Sequence, residues 1–364
     1  MSKNKNPLVS IVVPMYNQVH YIDKCIRSIC NQTYRDIEVV IVNDGSTDKS
    51  PLIAKKWEAR DSRVKVINKQ NEGPSLARRD GYRAATGEFL AFVDSDDYLP
   101  LNAIDTLVRY ILEKDVDMVI GAMTKKLGFI KKNLDGLFSF PFYQVVKQPE
   151  LFDDYYIGFC CNSIFSVSDC GRLYRKCVID KAIQETELFS AEVRSMGEDH
   201  YFNMQLFPYL NSMCRIKEIV YVYRYGGGTS DYIPNFPQLL LYCDKRIELL
   251  DHYDYQAGYA PLYDEYISCF YYQAEQMLEF KKSDKKDVIE YFKEELSRRK
   301  LIPRLIDYYQ TNGIENNGAS LIIDHDFEGM YNFAHSSMKK RCGSISYATK
   351  KNLNRMIHFF INLF

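Results

Sequence analysis

Asp94, Ser95, Asp96 and Asp97 follow directly on the apolar run Phe89-Leu90-Ala91-Phe92-Val93. A short apolar run of this kind reads as a buried strand, so the carboxylates stand at its carboxyl end. In open α/β sheets, ligands collect just beyond that end. Carboxylates this close repel one another unless a cation sits among them. Hard oxygen donors suit Mg²⁺ or Mn²⁺, which are usually held by one or two carboxylates together with substrate phosphates. The cluster points to a metal-dependent nucleotide site. A solvated turn uses the same residue types, so the surrounding chain has to decide.

The elements that must position the cluster are legible upstream. Val9 to Val13, Glu38 to Val42 and Val64 to Ile67 are further short apolar or β-branched runs. Ile22, Cys25, Ile26 and Ile29 recur at helical spacing after the first. Ser50-Pro51 reads as a helix start, with Ser as N-cap and Pro at the first helical position. A helix is expected from about Ser75 to Thr86, with Gly87 placed to end it. Ile104, Leu107, Val108 and Ile111 mark another helix, and Met118 to Ile120 another strand. Strand–helix alternation at this spacing predicts right-handed crossovers and a mostly parallel sheet. Such a sheet brings three loops to one edge: Pro14-Met15-Tyr16-Asn17, Asn43-Asp44-Gly45-Ser46-Thr47-Asp48 and the acidic cluster. They offer an aromatic ring for stacking, a carboxylate acceptor and a metal site, the needs of a nucleoside diphosphate.

From about Leu127 to Gly197 the pattern is irregular and aromatic, and loops with short helices over the sheet are expected. A strand-like run, Ile219 to Tyr225, precedes Gly226-Gly227-Gly228, which reads as a flexible loop. Pro237 to Tyr309 reads as helical. Residues 331–364 hold no Asp or Glu, but carry Lys339, Lys340, Arg341, Lys350, Lys351 and Arg355. Leu353, Met356, Ile357, Phe360 and Phe364 share one helical face, and a basic amphipathic helix of this kind can lie on an anionic membrane. Packing on the helical segment is the alternative.

With 364 residues, 46% of them hydrophobic, the chain can build two or three cored units. A net charge of −1 gives no pointer to nucleic acid, and none is expected as a partner. The 29 tyrosines suggest a surface both apolar and wet, such as a carbohydrate- or membrane-facing one. The 10 cysteines form no CxxC pair and read as free thiols in a reducing cytosol. The apolar run Leu8 to Val13 is too short for a signal sequence or membrane span, so a cytoplasmic protein is expected.

Four stretches in order carry a resemblance: Val9-Ser10-Ile11-Val12-Val13-Pro14-Met15-Tyr16-Asn17, Ile41-Val42-Asn43-Asp44-Gly45-Ser46-Thr47-Asp48, Asn71-Glu72-Gly73-Pro74-Ser75-Leu76-Ala77-Arg78 and Gly87-Glu88-Phe89-Leu90-Ala91-Phe92-Val93-Asp94-Ser95-Asp96-Asp97. The chain resembles glycosyltransferase family 2, most specifically over its first hundred residues and more weakly to about Ser230. The resemblance implies an α/β fold of the GT-A, Rossmann-like type with a mostly parallel central sheet, followed by a C-terminal helical extension. It implies a catalytic domain at 1–232, with a nucleotide-binding half (1–120) and an acceptor-binding half (121–232). Beyond it come a helical domain (233–330) and the basic tail (331–364).

The same resemblance implies site roles. Pro14 and Tyr16 would line the base pocket, and Asp44 would contact the base. Asn17, Ser46, Arg78, Ser95 and Arg224 would complete the nucleotide site. Asp94 and Asp96 would be the metal-binding DxD pair, with Asp97 as ligand or support, and Mn²⁺ or Mg²⁺ as the ion. Gly197-Glu198-Asp199-His200 resembles the family's Glu-Asp motif, making Asp199 the general base and Glu198 its support. His200 is expected on the helix surface. Arg224 with Thr229-Ser230 resembles the segment that closes over the diphosphate. The chain departs from the family pattern at Asn43 (usually Asp), Arg79 (usually Asn) and Arg172 (usually Lys), and it lacks the Trp near Cys170. The implied activity is inverting transfer of a sugar from a UDP-sugar to a glycan acceptor, lipid-linked on polyprenyl diphosphate, at the inner face of the cell membrane. A degenerate carbohydrate- or membrane-binding protein would need the metal pair or the base lost, and both are present. A nicotinamide-dependent oxidoreductase would need glycines after the first strand, where Pro14-Met15-Tyr16-Asn17 has none. A nucleotide-sugar pyrophosphorylase would need a Gly-rich basic loop there.

Overall fold

The computed structural model describes residues 6–127, 130–133, 141–156, 168–193, 197–224, 236–254, 259–279, 281–299, 301–313 and 316–343. The chain forms two compact units, Met1–Gln238 and Leu239–Phe364.

The first unit is built on a nine-stranded sheet. Its strands are β1 (Val9–Met15), β2 (Ile37–Asp44), β3 (Val64–Lys69), β4 (Phe89–Phe92), β5 (Met118–Leu127), β6 (Ile130–Asn133), β7 (Val145–Lys147), β8 (Arg172–Arg175) and β9 (Ser212–Arg224). The order is β3-β2-β1-β4-β8-β5-β9-β7, with β6 paired to β5 at the side. β1 to β4 pair with one another in parallel, as the alternating pattern predicts. Every residue of β1 is buried, which is why it reads as a continuous apolar run: a parallel strand is covered on both faces.

The covering helices are α1 (Ile22–Cys30), α2 (Ser50–Glu58), α3 (Pro74–Ala84) and α4 (Ala103–Lys114). α3 matters most for the site. It starts after Gly73, whose φ of 95° suits glycine. It then presses onto the sheet at Gly81, where a Cβ would sit 2.3 Å from Val12 Cγ1. That close approach holds Arg78, one turn earlier, over the carboxyl ends of the strands. Two local expectations differ. Ser50 is the first residue of α2, and its hydroxyl accepts the Gln18 N–H at 2.7 Å instead of capping the helix. Gly87 lies beyond α3 at the entrance to β4, where its N–H donates to Ser10 Oγ at 2.8 Å.

The interval expected to be loops holds more order. β6, β7, β8 and a helix α5 (Lys176–Glu185) lie in it. β8 inserts antiparallel between β4 and β5, so these two strands, consecutive in the alternating pattern, are not neighbours. The insertion was hidden because β8 is four residues long and begins with Arg172. That arginine is buried and donates to Asn203 Oδ1 at 2.6 Å. α6 (Glu198–Leu206) follows, and its residues from His200 to Leu206 are all buried. His200, expected on the surface, is 1% exposed because no side of this helix faces solvent.

The second unit is helical: α7 (Phe236–His252), α8 (Tyr259–Glu279), α9 (Lys285–Arg298), α10 (Leu301–Asn312), α11 (Asn317–Ile323) and α12 (Phe327–Gly343). A reciprocal capping box between Asp284 and Asp287 starts α9. Here the tyrosines are explained differently from the surface reading. Tyr263, Tyr266, Tyr271, Tyr291 and Tyr309 are core residues. Several place their hydroxyls on internal acceptors, as Tyr271 does on the Gly318 carbonyl and Tyr309 on Asp264. The expected break at 331 falls within α12, whose Met330 and Ala334 are buried and whose Phe333 ring lies 4.7 Å from that of Tyr271. Among the described residues, no helix is long and apolar enough to cross a membrane. The basic stretch 344–364, with Lys350, Lys351, Arg355 and its apolar face, lies outside the described residues, as do Gly226 to Gly228, Thr229 and Ser230.

Candidate active site

The loops after β1 and β2 are stitched together by backbone and side-chain hydrogen bonds. Asn17, held at a φ of 52°, donates its N–H to Ser46 Oγ at 3.0 Å. Its Oδ1 accepts the N–H of Thr47 at 2.8 Å. Pro14 is buried at the end of β1, opposite Val42 of β2, while Tyr16 is 47% exposed and free to meet a planar ligand. Asn43, where the family pattern has Asp, accepts the Ser46 N–H at 3.1 Å and also donates to Asn68 at 2.9 Å. The amide thus keeps the acceptor and gains a donor that a carboxylate lacks.

Asp44 is almost fully buried and braces the entrance to α3. Its two oxygens accept the N–H groups of Glu72 and Gly73 at 2.9 and 2.8 Å. Lys69 backs this loop, reaching Glu72 at 2.6 Å and Asp80 at 3.2 Å. Arg79, the second departure, pairs with Asp80 at 3.0 Å.

The acidic loop after β4 is tied to the end of β9. Tyr221 is the tie: its hydroxyl donates to Asp97 Oδ2 at 2.7 Å and accepts the Asp94 N–H at 3.1 Å. Asp97 Oδ1 accepts the Arg224 N–H at 2.7 Å, and the residue is 1% exposed. Both Asp97 oxygens are therefore engaged inward, which places it as the brace of the loop. Ser95 is buried beside it. Asp94 and Asp96 remain the half-exposed carboxylates. Burial, reinforced by the charge of Asp94, pushes Asp96 up to about 6. Burial, with Asp96 and Asp94 adding, holds Asp97 well above the carboxylate range.

Arg224 stands at the rim, its guanidinium 4.7 Å from the Tyr21 ring and 5.7 Å from that of Tyr98. Its Nη2 is buried with no hydrogen-bond partner among the described residues.

On the other side, Glu198 and Asp199 open α6, where the helix N-terminus favours negative charge. Asp199 Oδ1 accepts the His200 N–H at 2.8 Å, and its carbonyl accepts from Asn203 Nδ2 at 2.8 Å. Burial raises Asp199 well above the ordinary range, with Glu198 and Asp169 adding to the shift and Arg78 opposing it. The Glu198 carboxyl is also raised by burial, against the pull of Arg78.

Arg78 joins the two sides. Its Nη2 donates to Asp94 Oδ1 at 2.8 Å, and its Nη1 lies 3.5 Å from Glu198 Oε1. Its Nε lies 2.8 Å from Asp169 Oδ2, a fully buried carboxylate just before β8. Asp169 and Tyr221 are the residues that sequence reasoning missed. Asp169 sits in an irregular segment and Tyr221 inside a strand, so neither carries a local signal; only the pairing of β8 and β9 into the sheet brings them here.

The carboxylates of Asp94, Asp96, Asp97, Asp169, Glu198 and Asp199 thus surround the cations Arg78 and Arg224. The excess of negative charge lies on the acidic loop, where burial and mutual repulsion already raise Asp96. An oxygen-donor set of that kind fits a divalent cation such as Mg²⁺ or Mn²⁺.

The family model described as Glycosyl transferase family 2 matches residues 10–181. Among curated relatives, the Bacillus subtilis protein described as uncharacterized glycosyltransferase EpsJ is 32% identical over 255 residues, covering 68% of this chain and 71% of that protein. Glycosyltransferase GlyA of Streptococcus pneumoniae is 30% identical over 61% of this chain, and the match spans only 31% of GlyA's length. Of solved structures, S. aureus TarS 1-349 superposes with a TM-score of 0.62 at 19% identity, covering 92% of this chain and 91% of that one. That likeness establishes the fold alone.

Proposed function

The chain belongs to glycosyl transferase family 2, and from that premise we propose that it is an inverting glycosyltransferase that moves a sugar from a UDP-sugar to a hydroxyl of a glycan acceptor. One observation carries the reading: the buried Arg78 touches both Asp94 of the acidic loop and Glu198 of the helix-start pair. A donor-binding loop and a candidate base are thereby held in one site. The structural neighbour S. aureus TarS 1-349 has been solved with UDP and with UDP-GlcNAc, at TM-scores of 0.59 and 0.54, and this supports the choice of donor class.

In this reading Tyr16 and Pro14 receive the base, the stitched loops of Asn17, Asp44 and Ser46 shape its pocket, and Arg224 faces the diphosphate. The acceptor hydroxyl oxygen attacks the anomeric carbon from the face opposite the diphosphate. Asp199 takes the hydroxyl proton as the new C–O bond forms, and the bond from the anomeric carbon to the diphosphate oxygen breaks, releasing UDP. Glu198 holds Asp199 in the field of Arg78. A divalent ion on Asp96 and Asp94 would neutralise charge on the departing diphosphate. Residues 1–232 form the catalytic domain, with 1–120 serving the donor and 121–232 the acceptor. The acceptor is a glycan on polyprenyl diphosphate, reached at the cytoplasmic face of the membrane, where the basic residues from Lys339 to Arg355 meet anionic lipid.

Calorimetric titration of UDP tests the donor half directly. Binding is expected with Mn²⁺ or Mg²⁺ and is expected to fall by at least about tenfold in excess EDTA, since Asp94 and Asp96 would hold an ion that offsets the charge of the diphosphate. Absence of UDP binding under every metal condition would remove the nucleotide site and leave a binding protein of the same fold.

A further inference from the structure

Arg78 is anchored on three sides, by carboxylates from three separate parts of the chain. Its Nη2 meets Asp94 at 2.8 Å, its Nε meets Asp169 at 2.8 Å, and its Nη1 approaches Glu198 at 3.5 Å. Only the Nη2 contact is aligned as a hydrogen bond, and the Nε and Nη1 contacts act as charge pairs, so the three carboxylates fix where the guanidinium sits. Two of these partners belong to the donor loop and the base pair. Asp169 belongs to neither.

Asp169 is itself rigidly held. It is 0% exposed, its Oδ1 accepts from the Cys170 thiol at 3.5 Å, and its carbonyl accepts from the Tyr174 hydroxyl at 3.3 Å. Cys170 in turn is bridged to Phe92 at the end of β4. The carboxylate is thus fixed to the sheet beside the acidic loop, and Arg78 is the cation in contact with it, with the charge of Arg172 adding. Removing one partner of a buried pair leaves the other uncompensated, and Arg78 would then be drawn further onto Asp94 and Glu198.

We propose that Asp169 is a positioning residue, whose buried carboxylate fixes the Arg78 guanidinium between Asp94 and Glu198 and thereby keeps Asp94 available to the metal–nucleotide complex. The inference rests on the nucleotide-sugar reading of this site. Without Asp169 the guanidinium neutralises Asp94 more fully, and the acidic loop loses grip on a cation.

The test is a double-substitution cycle read by calorimetry with UDP and Mn²⁺ on the full chain, with thermal unfolding followed in parallel. Asp169→Asn is expected to weaken Mn²⁺-dependent UDP binding by about tenfold, within the 10–100-fold range typical of groups that orient metal ligands. In the Arg78→Gln background the same substitution is expected to change affinity by less than about twofold, because its route of action is gone. If Asp169→Asn alone fails to fold, recovery of a folded protein in the Asp169→Asn/Arg78→Gln pair supports the coupling, since that pair removes both buried charges. Full UDP affinity in folded Asp169→Asn, with only its unfolding midpoint lowered, overturns the proposal by making Asp169 a stabilising residue only. Additive losses in the two backgrounds overturn it as well. Failure of the unsubstituted protein to bind UDP would sink the nucleotide reading and this inference together, whereas failure confined to the variants sinks this inference alone.

Discussion

Replacing Asp199 with Asn is expected to lower sugar transfer by roughly 10²–10⁴-fold, the usual worth of general-base assistance, while UDP still binds. In barrier terms this is about 3–5.5 kcal/mol, at roughly 1.4 kcal/mol per tenfold. In the proposed mechanism the loss falls on turnover, because Asp199 there serves the acceptor proton and neither the metal nor the nucleotide. The residue's environment adds a second expectation. Burial raises the Asp199 carboxyl above the ordinary range, with Glu198 and Asp169 adding. Transfer needs the deprotonated form, so the turnover of the unsubstituted enzyme should fall, as pH is lowered, at a pH above the usual Asp value of about 3.9. For stability the sign reverses. A carboxyl raised in the folded state favours folding when protonated, and that contribution is lost as pH rises through the folded value. At neutral pH, Asp199→Asn should therefore leave the unfolding midpoint unchanged or raise it. Steady-state kinetics beside thermal unfolding check both. Undiminished turnover in the folded variant would remove Asp199 as the base, and a lowered unfolding midpoint at neutral pH would contradict the stability expectation.

Asp96→Asn should lose metal-dependent UDP binding by about 100-fold or more, since a direct ligand is worth at least as much as the groups that orient ligands. The fold should persist. Asp96 is pushed up to about 6 by its burial and by Asp94, so the native state gains nothing from its charge at neutral pH. The contrast with its neighbour is informative. Asp97 already spends both oxygens on Tyr221 and on the Arg224 backbone, so it holds the loop's shape. Asp96 accepts no side-chain hydrogen bond of that kind among the described residues and is only partly buried. Titrating Mn²⁺ against UDP affinity of the variant decides the matter, and an affinity and metal dependence equal to the unsubstituted protein would contradict the assignment.

The sequence was readable wherever the signal was local. β1, β2 and β4 announce themselves as short, largely apolar runs, because a parallel strand buried on both faces needs no polar alternation, and the partly exposed edge strand β3 shows as Val64, Val66 and Ile67 around Lys65. The loops that follow them carry their chemistry in consecutive residues, so Asn17, Asp44 and the acidic cluster could be picked out before any fold was known. Glu198 and Asp199 stood out only through the resemblance to the family's Glu-Asp motif, since acids at a helix start are ordinary on their own. What stayed hidden depends on distant pairing. β8 is four residues long and carries a buried arginine, so its slot between β4 and β5 leaves no trace in periodicity. Asp169 arrives at the site only through that slot. Tyr221 resembles any strand tyrosine until β9 brings its hydroxyl to Asp97. His200 lies in a polar-looking stretch, yet α6 is enclosed on every side. The abundance of tyrosine was misleading for a related reason: in the helical unit these rings fill the core, with their hydroxyls on internal acceptors, and composition alone carries no such distinction.

The central claim is that this site cleaves the bond between a sugar and a nucleoside diphosphate. The most direct measurement is release of nucleotide from a panel of UDP-, GDP-, dTDP- and CMP-sugars, each with Mn²⁺, Mg²⁺ or excess EDTA. Slow release of UDP from one UDP-sugar, dependent on the divalent ion and lost in EDTA, is the predicted result. Release from no donor under any metal condition, by a protein that is folded, would contradict it.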